Sequence, residues 1–233
     1  MKPASILRDL VSVLFPDTCC LCGRAMSGAG GYFCPACNAS LPLANILPGR
    51  FNPFEQPMSR LESKGVSTAL LLYTPHSRTA QLLERIKYVG IKGLPRYMGR
   101  RMALELLKSG FFEELDVLLP IPLYFRKQIA RGYNQSEQIA LGISEITGLP
   151  VGDNLVALRA HSTQTRKSHA ERTANVEGVF GVRHPEELAG KRILLVDDVF
   201  TTGATLVAAG TAIRRDAEPA NLRALTLAVA AGH

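Results

Sequence analysis

Apolar and polar residues follow strand-like and helix-like patterns in turn from residue 68 onward. Short apolar runs bounded by turn residues predict buried strands, and helical spacing fills the intervals between them. Strands that alternate with helices predict a largely parallel α/β sheet. The predicted strands are Thr68–Tyr73, Asp116–Ile121, Val179–Val182, Ile193–Val196 and Leu222–Val229, and the predicted helices are 76–109 (broken near Gly90, Gly93 and Pro95), Ser136–Thr147 and Ala204–Arg215.

The first 66 residues lack this alternation. Apolar residues from Ile6 to Phe15 recur at helical spacing, which predicts a short amphipathic helix, and charged residues interrupt the run in a way that argues against a signal peptide. Residues 41–66 contain four prolines and are typical of a linker or an irregular wrap. We therefore expect an N-terminal helix and cysteine module over 1–40, a linker over 41–66 and the main domain over 67–233.

Composition and charge narrow the class of protein. Hydrophobic residues make up 46% and charged residues 20%, which excludes a disordered or fibrous chain. No apolar run reaches the ~18–20 residues that span a bilayer, so we expect a cytoplasmic protein without membrane insertion. The formal net charge of +7 favours a polyanionic partner such as nucleic acid or a phosphorylated substrate, although a basic surface alone would produce the same excess.

All five cysteines lie between residues 19 and 37 and include two C-x-x-C pairs. Each pair points two thiolates at one centre, and two pairs complete a four-sulfur shell for structural Zn²⁺. A thioredoxin-like redox pair would need a βαβ unit beside it, and none precedes residue 40. We predict Cys19, Cys22, Cys34 and Cys37 as ligands, with Cys20 as a spare thiol that could replace Cys19 or Cys22.

The run Ile193–Thr205 carries the strongest candidate site. Asp197 and Asp198 follow a buried strand, at the edge of an α/β sheet where ligands bind. The backbone N–H groups of Thr201–Thr205 open a helix and, with three hydroxyls, can hold a phosphate group. The two carboxylates suit sugar hydroxyls, or a Mg²⁺ ion held partly through water.

Three other interpretations fit this run less well. Helix capping requires fewer acidic and hydroxyl residues than the run contains. A receiver domain needs more chain after Asp198 than remains. A Walker-type loop needs the pattern G-x-x-x-x-G-K-[ST], which the sequence does not contain.

The segment V-D-D-V-F-T-T-G-A-T (Val196–Thr205) resembles the phosphoribosyl pyrophosphate (PRPP) signature of type I phosphoribosyltransferases. Together with further motifs in the same order, the chain is similar to the ComF family of competence proteins. The resemblance implies a type I phosphoribosyltransferase-like fold, a largely parallel twisted sheet flanked by helices, with a small N-terminal zinc ribbon. The further motifs are the two C-x-x-C pairs, Pro120-Ile121-Pro122, Arg131–Gln135, Gln164-Thr165, Arg172 and Asn175–Phe180.

The resemblance also implies roles for single residues. Asp197 and Asp198 would hold the ribose hydroxyls, the turn after them would hold the 5-phosphate, and Mg²⁺ would accompany PRPP. Residues 159–176 would form a flap over the pyrophosphate, or else a solvated loop, and Pro120-Ile121-Pro122 would face the pyrophosphate or merely end a strand. The implied catalytic residues are Asp197, Asp198 and Arg172, and the implied PRPP-binding residues are Asp197, Asp198, Thr201, Thr202, Gly203, Ala204, Thr205, Ile121 and Gln164.

Two functions stay open at this point. The first is a ComF-like binding protein that assists single-stranded DNA uptake in natural transformation, with PRPP or a related phosphate as ligand and a DNA-uptake helicase or ATPase as a candidate partner. The second is an active Mg²⁺-dependent phosphoribosyltransferase whose acceptor the sequence does not identify. Basic residues over 76–101 could follow a DNA backbone or form solvated helix surface. We expect the removal of positive charge at Arg96, Arg100 and Arg101 together to reduce the salt dependence of single-stranded DNA binding.

Overall fold

The computed structural model describes residues 18–26, 31–46, 52–91, 93–159 and 178–230. Six strands are present in these residues: β1 (Thr68–Tyr73), β2 (Val117–Pro120), β3 (Leu155–Ala157), β4 (Phe180–Val182), β5 (Arg192–Phe200) and β6 (Asn221–Ala230). Four of them form a parallel sheet in the order β1-β6-β5-β2, and β3 pairs with β4 in a separate antiparallel ribbon. Strand β5 therefore lies inside the sheet, with a neighbour on each side.

Helices cover both faces of this sheet. Side chains alternate along β5, so that Leu194 and Val196 pack on one helical layer while Ile193 and Leu195 pack on the other. Among the helices of the described ranges, none has the length and apolar character that crossing a bilayer requires. The helices are α1 (Pro35–Ala39), α2 (Glu55–Ser59), α3 (Arg78–Tyr88), α4 (Gly93–Leu107), α5 (Phe125–Arg131), α6 (Gln135–Thr147) and α7 (Ala204–Ala217).

The predicted fold class, a parallel sheet flanked by helices, is confirmed. The main difference concerns β5, which is longer than the predicted Ile193–Val196 because its pairing with β6 continues to Phe200. Asp197 and Asp198 are therefore inside the strand, near its carboxyl end, rather than after it. The predicted helix over Ile6–Phe15 lies outside the described residues.

The proline-rich segment 41–66 packs closely against the sheet. The Ala44 amide donates to the Leu70 carbonyl oxygen at 2.8 Å, and the Leu72 amide donates to the Pro42 carbonyl oxygen at 2.8 Å. Farther along, Phe54 is fully buried. Of the two interpretations of this segment, its described residues form the irregular wrap and not a free linker.

Helices α4 and α6 cross at two glycines that have no room for a side chain. A Cβ atom on Gly142 would lie 2.1 Å from the Arg96 carbonyl oxygen, and one on Gly99 would lie 2.1 Å from the Ile139 carbonyl oxygen. Backbone therefore meets backbone at this crossing. The close contact fixes the position of α6, whose first turn reaches the carboxyl edge of the sheet.

The variant Gly142→Ala tests this crossing. The added methyl group has to push α4 and α6 apart, so we expect a loss of about 1–3 kcal/mol in the free energy of unfolding, measured by urea denaturation. Ser144→Ala, on the same helix, is the control and should change it by less than about 0.5 kcal/mol. Equal stability of the two variants would contradict the tight contact.

Candidate functional site

Asp197 and Asp198 form an acidic pair in which each carboxylate has a partner from a helix. The Ser136 hydroxyl, in the first turn of α6, donates to Asp197 Oδ1 at 2.9 Å. Lys87 Nζ, in the last turn of α3, lies 3.0 Å from Asp198 Oδ2, and the two side chains are only 20% and 12% exposed. The Asp198 amide also donates to Asp197 Oδ1 at 2.8 Å. The pair is thus bound by β5, α3 and α6 together.

The environment of the pair changes how Asp197 ionises. Burial, reinforced by the negative charge of Asp198, raises the pKa of Asp197 to about 7, against the lowering effect of the Asp198 amide, Ser136 and Lys87. Asp197 therefore titrates near neutral pH. The Lys87 ammonium group faces Asp198. The acidic pair and Lys87 together therefore carry far less net negative charge than two free aspartates would.

The turn between α5 and α6 positions both helix-borne partners. The buried Tyr133 hydroxyl donates to the Ile86 carbonyl oxygen, one residue before Lys87. The next residue, Asn134, begins α6 by accepting from the Ser136 amide at 3.1 Å. One short segment therefore ties the end of α3, which carries Lys87, to the start of α6, which carries Ser136.

Ile121, one of the residues implied to bind PRPP, follows β2 and continues the hydrogen bonding of the sheet. Its amide donates to the Val196 carbonyl oxygen at 2.9 Å and its carbonyl oxygen accepts from Asn134 Nδ2 at 3.0 Å. The amide of Ile121 is therefore not free to bind an anion, because the loop continues the β2–β5 hydrogen bonding past Pro120. The Pro120-Ile121-Pro122 segment ends a strand and anchors Asn134.

The turn that joins β5 to α7 lies beside the acidic pair and is exposed at Thr201 and Thr202. Gly203 begins α7 with a φ of +75°, and a Cβ atom there would lie 2.8 Å from Pro57 Cβ. Both facts require glycine at this position. The Thr202 hydroxyl accepts from the Ala204 amide at 3.4 Å. The start of α7 thus combines the N–H groups of a first helical turn with hydroxyls, a combination that suits a phosphate.

The four predicted cysteine ligands converge. The Sγ atoms of Cys19, Cys22, Cys34 and Cys37 all lie within 4.8 Å of one another. Burial would raise the pKa of the Cys19 thiol, but backbone amides that donate to it prevail and lower the pKa to about 6. Four sulfurs around one point, supported by N–H donors, are a donor set that can hold a metal ion.

Cys20 lies outside this cluster of described thiols. Burial, together with the neighbouring Cys19, raises the pKa of the Cys20 thiol to about 11. Its amide donates to the Tyr32 carbonyl oxygen at 2.9 Å, so its backbone is used to close the ribbon. The prediction that Cys20 is the spare thiol agrees with this geometry.

The cysteine module packs on α3 and α4. The Tyr32 and Tyr97 rings meet edge to face with centroids 5.3 Å apart, and Arg78 donates to Cys37 Sγ at 3.3 Å. Cys19, Cys34 and Cys37 belong to the same buried cluster as the apolar face of these two helices. The module is therefore part of the layer that carries Lys87.

The arginines predicted to bind DNA have protein partners. Arg96 and Arg100 both pair with Glu145 of α6, the second at 2.8 Å, and Arg101 donates to the Asn38 side chain at 2.6 Å. Arg100, followed by Arg96, lowers the pKa of Glu145. Ion pairs on this face thus join α4 to α6, and the Arg101 hydrogen bond joins α4 to the cysteine module.

Two predicted site residues, Gln164 and Arg172, lie outside the described residues. The structure adds two that the sequence interpretation did not include, Ser136 and Lys87. Ser136 had a signal, because it opens a predicted helix two residues after Asn134, a residue type that favours the helix N-cap. Lys87 had none, since a lysine in a basic helix is usually solvated.

Comparison with protein families matches residues 90–231 to the phosphoribosyl transferase domain. This chain belongs to that family. The match includes the acidic pair, the turn before α7 and the segment that holds Ser136. The phosphoribosyl transferase domain begins after Lys87, however, so the ammonium that faces Asp198 comes from outside the matched region.

Named relatives of this phosphoribosyl transferase chain confirm the resemblance to ComF proteins. It is 31% identical to "Competence protein F" of Haemophilus influenzae over 130 residues, which cover 54% of this chain and 57% of that protein. It is 27% identical to "DNA utilization protein YhgH" of Salmonella typhimurium over 192 residues, 81% of this chain and 80% of that protein. It is 32% identical to "Competence protein ComFC" of Bacillus subtilis over 111 residues, 48% of this chain and 43% of that protein.

Among solved structures, the chain is similar to a glutamine PRPP amidotransferase from B. subtilis complexed with ADP and GMP. The TM-score is 0.43 at 22% identity, over 63% of this chain and 30% of that chain.

The raised pKa of Asp197 predicts a specific pH dependence of stability. The pKa is about 7 in the folded protein and 3.8 for an ordinary aspartate, so the proton is bound more tightly in the folded state. This contribution to stability is complete below about pH 4 and is lost as the pH rises to about 7. Asp197→Asn cannot ionise, so its stability relative to wild type should improve over that range and level off above it.

Urea denaturation at a series of pH values measures this difference. Asp153→Asn, which alters an exposed carboxyl group, is the control. If the difference in the free energy of unfolding between Asp197→Asn and wild type stays constant from pH 4 to pH 8, Asp197 ionises like an ordinary carboxyl group.

Proposed function

We propose that this chain binds PRPP and acts in the handling of single-stranded DNA, as a ComF-type protein of the phosphoribosyl transferase family. The observation that carries the PRPP part is the acidic pair near the end of β5, two residues before the turn in which Thr201 and Thr202 are exposed. Carboxylates and a phosphate cradle at one sheet edge suit a sugar phosphate, because the first accept from hydroxyls and the second donates to the anion.

Several parts of the PRPP molecule have candidate binding residues in this chain. Asp197 and Asp198 would accept hydrogen bonds from the ribose hydroxyls, and the Thr201–Thr205 amides and hydroxyls would bind the 5-phosphate. Arg172 and Gln164 would contact the ligand from the flap. The carboxylates avoid the phosphates by facing the uncharged part of the ligand.

Two metal ions enter this proposal. The four-cysteine cluster fits structural Zn²⁺, which would hold the ribbon against α3 and α4. Mg²⁺ would arrive with PRPP, since its preferred oxygen ligands are available on the pyrophosphate, and when bound it neutralises the charge of that group.

The names of the relatives support the DNA part. They are competence and DNA utilization proteins, and the chain's formal net charge of +7 suits a polyanion. We infer a role in the cytoplasm after DNA uptake, with a helicase or ATPase of the uptake system as a candidate partner.

A second candidate function is phosphoribosyl transfer itself, and the complete Asp-Asp and Thr-Thr-Gly motif favours it. The bond from the ribose C1 atom to the pyrophosphate oxygen would break, and a bond from C1 to an acceptor nucleophile would form. Pyrophosphate release in the presence of nucleobases or amines tests this function directly. Release with any of them would establish the enzyme.

The acidic pair predicts the behaviour of PRPP binding. Asp198→Asn should weaken binding of PRPP and Mg²⁺ by about 10-fold or more, because a charge-assisted hydrogen bond is worth roughly 1.5–3 kcal/mol. Isothermal titration calorimetry measures the affinity, and thermal melting without ligand checks the fold. Asp153→Asn removes an exposed charge and should bind like wild type. If the wild-type protein binds PRPP and neither Asp197→Asn nor Asp198→Asn weakens that binding, the acidic pair has a structural role.

The cysteine cluster predicts metal content. The purified protein should hold about one zinc ion per chain by elemental analysis, since two C-x-x-C pairs fill a four-ligand shell. Cys34→Ser should lower zinc occupancy and increase proteolysis of the ribbon, because metal binding stabilises such modules. Cys20→Ser is the matched control and should change neither. Loss of zinc in both variants would mean that Cys20 takes part.

A further inference from the structure

Helix α5 stands out from the fold because it has no buried residue. Phe125 and Ile129, one turn apart on it, are 59% and 69% exposed, and Tyr88, at the end of α3, is 75% exposed. The Arg131 guanidinium carbon lies 5.8 Å from the centre of the Tyr88 ring, so α5 and the end of α3 form one surface. We call these residues, with Tyr124 and Arg126, the α5 face. Large apolar side chains concentrated in one place commonly mark a binding surface.

The charge of the α5 face is one-sided. Residues 117–136 contain Arg126, Lys127 and Arg131 but no Asp or Glu. The face therefore combines flat rings with positive charge, and its helix is about 10 Å long. On the face of Arg96 and Arg100, Glu145 pairs with both arginines, whereas Arg131 contacts the uncharged side chains of Gln135 and Tyr88.

We propose that the α5 face is the surface on which this protein binds single-stranded nucleic acid, an inference that rests on the DNA part of the proposed function. Exposed rings stack on bases, and base faces are accessible in a single strand but hidden in a duplex. The guanidinium groups meet the phosphates. Arg131, which already lies over the Tyr88 ring, extends the planar surface available for stacking.

The position of the α5 face agrees with this role. Tyr88 follows Lys87, the residue that pairs with Asp198, and α5 lies between the end of β2 and the turn that carries Tyr133. The bound strand would thus pass beside the acidic pair at the carboxyl edge of the sheet. It would not occupy the face of α4.

The test measures binding of a fluorescent single-stranded oligonucleotide by anisotropy, from low to physiological salt. Tyr88→Ala with Phe125→Ala should weaken binding by about 5-fold or more with little change in salt dependence, because these variants no longer stack on bases. Arg126→Gln should reduce the slope of log affinity against log salt by about 0.7, because this variant neutralises one phosphate group fewer. These residues are exposed, so the variants should fold, and circular dichroism checks this.

Matched controls change the same chemistry elsewhere. Leu104→Ala with Leu107→Ala removes exposed apolar side chains from α4, and Lys64→Gln with Lys108→Gln removes two exposed positive charges that precede β1 and β2. Both control pairs should bind DNA like wild type. Equal effects of the control and α5 variants would overturn the proposed surface.

The remaining outcomes separate the surface from the proposed function. If the wild-type protein binds DNA and all α5 variants bind it equally well, the α5 face is not the binding surface. The proposed DNA function would not be contradicted. If the wild-type protein does not bind DNA at low salt, both the proposed surface and the DNA part of the proposed function are wrong. Calorimetry with PRPP tests the PRPP site independently of this result. Binding of anionic lipid vesicles in place of DNA, or a wild-type dimer that Tyr88→Ala with Phe125→Ala dissociates, would overturn the proposal and assign the face to a membrane or to a second copy of the chain.

Discussion

Two adjacent carboxylates near the end of an interior strand impose the main constraint on this fold, because shielding like charges from water is costly unless partners offset them. The partners come from far along the chain. Lys87 arrives on α3 and Ser136 on α6, and Tyr133 joins these helices through the Ile86 carbonyl group. The acidic pair can therefore form in its observed state only when one whole helical layer has been assembled on the sheet.

That layer is held by contacts of two kinds. The crossing of α4 and α6 depends on the absence of side chains at Gly99 and Gly142, and ion pairs from Arg96 and Arg100 to Glu145 join the same two helices at the surface. The cysteine module adds a third body, which packs its aromatic residues against α4. Residues distant from the acidic pair thus determine where its partners lie.

The sequence predicts what depends on local pattern and on chemistry concentrated in short motifs. Parallel strands, the long helices and the four converging cysteines are such features, and they are confirmed. Short elements such as α5 escape prediction because they bury nothing and leave no periodic pattern. The use of the Ile121 amide by the sheet could not be predicted, since which N–H groups a sheet uses is decided by pairing partners and not by the loop's own residues. Lys87 and Ser136 require three-dimensional juxtaposition that no spacing along the chain expresses.

The match to the phosphoribosyl transferase domain begins at residue 90, yet the structure does not divide there. Strand β1, which lies before that point, pairs with β6 along its length. A fragment starting at residue 90 would lack β1, so the backbone of the apolar strand β6 would become a free edge of the sheet. The same fragment would lack the Lys87 ammonium and the carbonyl group that accepts from Tyr133. The folded sheet therefore includes residues that precede the matched region 90–231. Cutting the protein at residue 90 would remove both an edge strand of the sheet and the positive charge that faces the acidic pair.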